Sequence, residues 1–137
     1  MAKKTEAYVD TSALIAFADR SDTYHPLFRR LFADPPALVT TTLVIAEGHG
    51  WFLKRYDRNK ALQYLGMIES MHPLKITSVG RREQGGATDL LRRFSDQDLT
   101  LTDAVGLNLM GMRRIRSCWS TDFHLSLTGI PLVIHEY

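Results

Sequence analysis

Short β-rich runs alternate with helical stretches along this chain, and that alternation narrows the fold more than any single motif. The strand candidates are Glu6–Asp10, Ala37–Thr40, Leu74–Thr77, Arg116–Ser120 and Pro131–His135. Between them the spacing predicts helices over Ala13–Ala18, His25–Ala33, Leu43–Tyr56, Arg58–Met71, Gly80–Phe94 and Thr102–Arg113, with a short one over Phe123–Leu127. Strands separated by helices form a parallel sheet, because parallel neighbours need a crossover and the helix supplies it. Turn signals fall where this scheme needs them: Asp34-Pro35-Pro36 before the second strand, His72-Pro73 before the third, and Gly129-Ile130-Pro131 before the last. The predicted fold is α/β, a three-layer α/β/α arrangement around a parallel sheet of four or five strands. At 137 residues the chain has the length for a single domain, residues 1–137, with a core that needs no staples. Gly85-Gly86 weakens its predicted helix by about 1 kcal/mol per glycine.

Composition excludes several classes. One cysteine, Cys118, rules out an intrachain disulfide and a Cys-based zinc cluster, and its apolar setting before Trp119 predicts a small buried hydrophobe. Met1 to Glu6 is short and polar, and no apolar run approaches the roughly 18 residues of a membrane helix. A cytoplasmic protein without signal peptide or membrane contact is expected. The net charge of +2 points to no partner by itself. The bases are clustered, however, at Lys3-Lys4, Arg29-Arg30, Lys54-Arg55, Arg81-Arg82, Arg92-Arg93 and Arg113-Arg114 with Arg116. If the acids gather at one site, these clusters dominate the remaining surface, which suits a phosphate backbone; solvated helix faces are the plain alternative.

Four acids stand out by position. Asp10 ends the first strand within AYVDTSAL, at the edge of a parallel sheet where ligands bind, although Asp-Thr-Ser there is also ordinary helix-capping chemistry. Glu47 lies in a helix capped by Thr41 or Thr42, on a face shared with Leu43, Gly50 and Trp51. A carboxylate on such a stripe needs a partner or a metal unless that edge is open to water. Asp103 falls in the first turn of a helix capped by Thr100 or Thr102, in line with Gly106, Leu107 and Met110. Asp122 follows the strand ending at Ser120, where it can cap the final helix or join a site. Four carboxylates brought together repel and raise one another's pKa values unless divalent cations neutralise them, so their convergence implies metal. Oxygen ligands of this kind favour Mg²⁺ or Mn²⁺. Asp98 reads as a turn former, with a secondary role in the site as the alternative.

The five histidines show no zinc-site spacing, and for His124 a surface or packing role outweighs one beside Asp122. No Gly-rich phosphate loop follows a strand, and no nucleophile elbow is present.

Taken in order, VDTSAL, TTLVIAEGHGWF, DLTLTDAVGL and WSTDFHLSLTGI resemble the successive motifs of a PIN-domain ribonuclease, above all the small VapC-type toxins of toxin–antitoxin pairs. The likeness runs from about Tyr8 to His135. It implies that Asp10, Glu47, Asp103 and Asp122 form the acidic quartet holding Mg²⁺ or Mn²⁺, with Ser12 and Thr121 at the hydroxyl positions beside the first and last acids. His25 fits a histidine habitual early in the second helix. The resemblance further implies a metal-dependent endoribonuclease, RNA as substrate, a homodimer and a small antitoxin. Two alternatives are an RNA-processing nuclease outside any toxin pair and a non-catalytic module that binds RNA or protein. A haloacid-dehalogenase-type phosphohydrolase would need a second aspartate where Ser12 stands, which sets that class aside.

Overall fold

A computed structural model describes residues 6–136. In chain order its elements are β1 (Glu6–Val9), α1 (Thr11–Ala18), α2 (His25–Ala33), β2 (Ala37–Thr41), α3 (Thr42–Arg55), α4 (Arg58–Glu69), β3 (Leu74–Thr77), α5 (Arg81–Arg93), α6 (Leu101–Arg113) and β4 (Ser117–Trp119). Two 3₁₀ segments follow, Phe123–Ser126 and Val133–His135. The strands form one parallel sheet in the order β3-β2-β1-β4. Lys3-Lys4 lies outside the described residues, and the other predicted basic clusters are exposed.

The chain steps from β1 to β2 to β3 in one direction, then crosses back to β4 on the far side of β1. Right-handed crossovers put α1 to α4 on one face of the sheet and α5 and α6 on the other. Side-chain packing agrees. Phe28 and Phe32 of α2 meet Trp119 of β4, with ring centroids 6.4 and 4.9 Å apart. Tyr8 precedes the paired Val9 and Trp119, so it faces the opposite side, where its ring abuts Gly106 of α6. The result is the three-layer arrangement, with Tyr8, Val9, Leu38 and Val39 shut off from solvent at its centre.

Local chemistry sets the helix boundaries. Asp57 accepts from the Lys60 N–H at 2.9 Å to start α4, and Thr41 accepts from the Val44 N–H to start α3. Thr100, rather than Thr102, caps α6 through a reciprocal box with Asp103. The α1 helix begins at Thr11, two residues earlier than its apolar pattern indicates, because the Asp10 carbonyl accepts from the Ala13 and Leu14 N–H groups. The Gly85-Gly86 pair is tolerated within α5 because a methyl at Gly86 would stand 2.6 Å from Asn108 Oδ1 of α6. The missing side chain there is what lets the two helices close.

The fifth predicted strand, Pro131–His135, does not form. A single parallel bridge joins Cys118 to Leu132, and the chain then curls into a 3₁₀ turn. The His135 and Glu136 amides are spent within that turn, on Leu132 and Val133 carbonyls at 3.1 and 3.0 Å. Pro131 has no N–H to offer a ladder. The sheet therefore stays at four strands.

Candidate functional site

The sheet order reverses at β1, which has β2 on one side and the returning β4 on the other. Ligand crevices open beyond the carboxyl ends of strands at such a switch point. Asp10 stands there. Its N–H continues the ladder to the Trp119 carbonyl at 3.0 Å, and its side chain is 3% exposed. The carboxylate makes no capping bond to α1, so helix capping does not account for it. Instead Oδ2 accepts from the Ser12 and Ser120 hydroxyls, both at 2.9 Å. Burial lifts the Asp10 pKa from 3.8 to about 6, with the Asp103 charge adding to the rise and the two serine hydroxyls opposing it.

Ser120 is the residue that motif reading passes over. It is fully buried, donates to Asp10 and accepts from the Asp122 N–H at 2.9 Å, so one hydroxyl joins the first acid to the backbone of the last. Thr121 contributes a different group: its backbone N–H donates to Ser12 Oγ at 3.0 Å. Ser120 directly follows a strand that lies beside the one leading to Asp10, but strand pairing has to be known to use that signal. Ser120→Ala is expected to cost about 1–3 kcal/mol in chelator, because the half-buried Asp122 amide loses its acceptor and buried Asp10 loses a donor. It also moves the pH at which Asp10 ionises upward, since one stabilising hydroxyl is gone. Melting curves from pH 4 to 8 check both effects, and an unchanged pH dependence would refute the link to Asp10.

Asp103 is 7% exposed and held by the capping box, its N–H donating to Thr100 Oγ1 at 3.1 Å while its Oδ2 accepts from the Thr100 N–H at 3.3 Å. Burial raises its pKa, and the nearby Asp122 charge adds to the rise. Capping and site geometry thus coincide in this residue, since Gly106, Leu107 and Met110 of the same helix are buried as expected. Asp122 caps the first 3₁₀ segment, accepting from the His124 N–H at 3.0 Å. Its Oδ1 also lies 3.0 Å from His124 Nδ1, so the histidine expected to serve surface or packing needs meets the acid instead. One ligand atom each from Asp103, Asp122 and His124 falls within 4.8 Å of the others.

Glu47 is placed differently from its predicted face. The buried stripe of α3 is Val44, Gly48 and Phe52, one residue on from the face carrying Leu43, Glu47 and Trp51. The cause is Tyr64 of α4, whose ring fills the space that a side chain at Gly48 would need. Glu47 is left exposed at the edge of the cleft, from where its charge adds to the upward pKa shifts that burial causes in Tyr8 and Tyr64. Asp98 is exposed in the loop before α6 and makes no side-chain hydrogen bond or ion pair among the described residues. His25 ties α2 to α1 through Nδ1 and the Ala16 carbonyl at 2.8 Å.

The donor set fits a hard divalent cation: carboxylate oxygens and one imidazole at a strand-end crevice. Among the described residues no lysine or arginine is ion-paired to Asp10, Glu47, Asp103 or Asp122, so their charge is not offset from within. The basic residues that do pair are elsewhere: Arg113 with Glu6 at 2.6 Å and Arg92 with Asp89 at 3.2 Å. No helix among the described residues is long and apolar enough to cross a membrane.

No protein-family model matches the sequence, and no curated protein does. Solved structures do. VapC20 of Mycobacterium tuberculosis, a toxin that cleaves the sarcin–ricin loop, is 23% identical with a TM-score of 0.84, covering 91% of this chain and 96% of its own. A toxin–antitoxin complex from Klebsiella pneumoniae gives 19% identity and a TM-score of 0.63, covering 92% of this chain and 94% of its own. VapBC2 of Rickettsia felis, bound to a promoter DNA fragment, gives 12% and 0.66, covering 93% and 97%. With a TM-score of 0.84 over 91% of its length, this chain has the PIN-domain fold of the VapC toxins.

Proposed function

We propose that this chain is a metal-dependent endoribonuclease and the toxin of a toxin–antitoxin pair. One observation carries the reading: on a VapC-like fold, buried Asp103 and half-buried Asp122 come within reach of one ion near buried Asp10, and among the described residues no lysine or arginine pairs with them. Asp10, Asp103, Asp122 and Glu47 are the residues that would hold Mg²⁺ or Mn²⁺. When bound, such an ion lowers the pKa of water and offsets negative charge on phosphodiester oxygens.

The chain's own part is to fix the acids in place. Ser12 and Ser120 hold Asp10 from two directions, and the capping box immobilises Asp103 on its helix. Asp122 is anchored through its backbone to Ser120 and through its carboxylate to the turn that carries His124. Preorganised ligands of this sort avoid reorganisation when charge develops. Exposed arginine clusters on other surfaces offer fork-shaped donors to the RNA backbone. A small antitoxin belongs to the same reading, supported by the toxin–antitoxin complex among the similar structures, and a homodimer is part of the proposal.

The test is cleavage of total RNA and of structured RNA transcripts by the purified protein. Cutting is expected with Mn²⁺ or Mg²⁺ and not in EDTA. Activity that persists in excess chelator would overturn the metal dependence, and no cutting of any RNA with either ion would overturn the assignment. Because Asp10 must be ionised to bind an ion, the rise in melting temperature given by Mn²⁺ is expected to fade as pH drops below about 6.

A further inference from the structure

Phe123 is, at 60%, the most exposed large apolar side chain among the described residues. Its neighbours hold it firmly. Asp122 Oδ1 takes the His124 N–H, Leu125 is fully buried, and the Phe123 carbonyl accepts from the Ser126 hydroxyl at 2.6 Å. The Phe123 ring lies on the His124 imidazole, centroids 4.2 Å apart and planes at 32°. That imidazole in turn stands 3.0 Å from the Asp122 carboxylate. A flat apolar ring on a fixed backbone therefore lies beside the acid cluster, one intervening side chain from Asp122. Leu53, Leu62 and Ile76 sit on α3, α4 and β3, and Leu101 and Met112 share α6 with Asp103, but among the described residues only Phe123 is an aromatic ring packed on a side chain that touches an acid of the cluster.

Burial does not explain the ring, and the pairing with His124 uses only one of its faces. An exposed aromatic on a fixed turn beside groups that would receive a phosphodiester has the properties of a base-stacking surface, because every nucleobase offers a π face. Resting on the ribonuclease reading above, we propose that Phe123, backed by His124, is the stacking platform for the nucleobase next to the scissile phosphate. The substrate then has to present an unstacked base at the cut: a single strand or a loop, not a continuous duplex, whose bases are stacked inside an A-form helix.

The test uses Asp10→Asn protein, which binds RNA without cutting it, and short random-sequence single-stranded RNA carrying 2-aminopurine at several positions. Binding is expected to quench the probe, with the matching duplex binding about 10-fold more weakly. Phe123→Leu keeps an apolar side chain but loses the π face. It should abolish the quench and weaken binding about 10-fold, whereas Phe123→Tyr retains both. A Leu variant that binds and quenches like its parent overturns the platform, as does a parent that never quenches or prefers duplex. If Phe123→Leu leaves RNA binding intact but changes the oligomeric state in sedimentation, the ring is a protein contact and the platform is again overturned. The two readings fail separately. Wild-type protein that cuts no RNA in Mn²⁺ refutes the ribonuclease assignment, while cutting that is indifferent to Phe123→Leu refutes the platform alone.

Discussion

Asp10→Asn is expected to lower metal-dependent RNA cleavage by at least about 100-fold, some 2.7 kcal/mol of transition-state stabilisation, while raising the melting temperature in chelator. Both effects come from one buried charge. The folded chain holds a proton on Asp10 up to about pH 6, against 3.8 for an ordinary aspartate, so ionising it in the fold costs about 3 kcal/mol. The sign follows from the raised value. Below about pH 4 the group is protonated folded or unfolded and there is no penalty. The penalty grows as pH rises through the interval and is complete above about pH 7. Asparagine removes it but accepts more weakly from the Ser12 and Ser120 hydroxyls, leaving a net gain of about 2 kcal/mol at pH 7.5. Melts of both proteins in EDTA at pH 4.5 and 7.5, with a cleavage assay in Mn²⁺, are decisive. A gain of equal size at both pH values would show that the charge is not its source. Cutting at the wild-type rate would remove Asp10 from the site.

Gly48→Ala is expected to destabilise the fold by about 3 kcal/mol, a fall in melting temperature on the order of 10 °C. Helix propensity argues the other way, since alanine improves a helix interior by about 1 kcal/mol over glycine. Sterics win. A methyl at Gly48 would fall on the ring and hydroxyl of Tyr64, a side chain 2% exposed whose hydroxyl donates to the Val44 carbonyl at 3.3 Å. Neither α3 nor α4 can yield without opening the tightly packed contact between them. Because Glu47 is the preceding residue, the displacement carries it away from the cleft, and cleavage is expected to fall along with stability. Gly66→Ala in α4 is the matched control: nothing lies within 4 Å of its added methyl, so it should gain up to about 1 kcal/mol. If both variants melt alike, the close approach at Gly48 is not what it costs to change.

These two positions also show what a sequence can and cannot reveal. The βα alternation and the strand-end setting of Asp10 are local properties, written within a few residues, and the sheet and helices follow them closely. Asp103 was legible for the same reason, since cap spacing and a buried stripe are both read along one helix. The features that escaped depend on partners distant in the chain. Glu47 reads as inward by period alone, because the period cannot tell which of two adjacent faces Tyr64 will claim. Ser120 looks like an unremarkable strand end until β4 is known to lie beside β1. His124 meets Asp122 within a 3₁₀ turn over Phe123–Ser126, where the sequence predicts a short helix over Phe123–Leu127. Pro131–His135 has the composition of a strand, yet its amides close on the turn before a ladder can extend.

The hydroxyl that Ser120 gives to Asp10 spans 110 positions of sequence. During synthesis, Asp10 therefore meets its fastener only after β4 has emerged, 110 positions later. Until then β1 has one edge unpaired, and Asp122 and the turn bearing Phe123 do not yet exist. A nascent chain stalled anywhere before β4 carries the first acids without the means to hold them together. The acid site is thus the last part of the fold to be completed, closing only as the fourth strand docks beside the first.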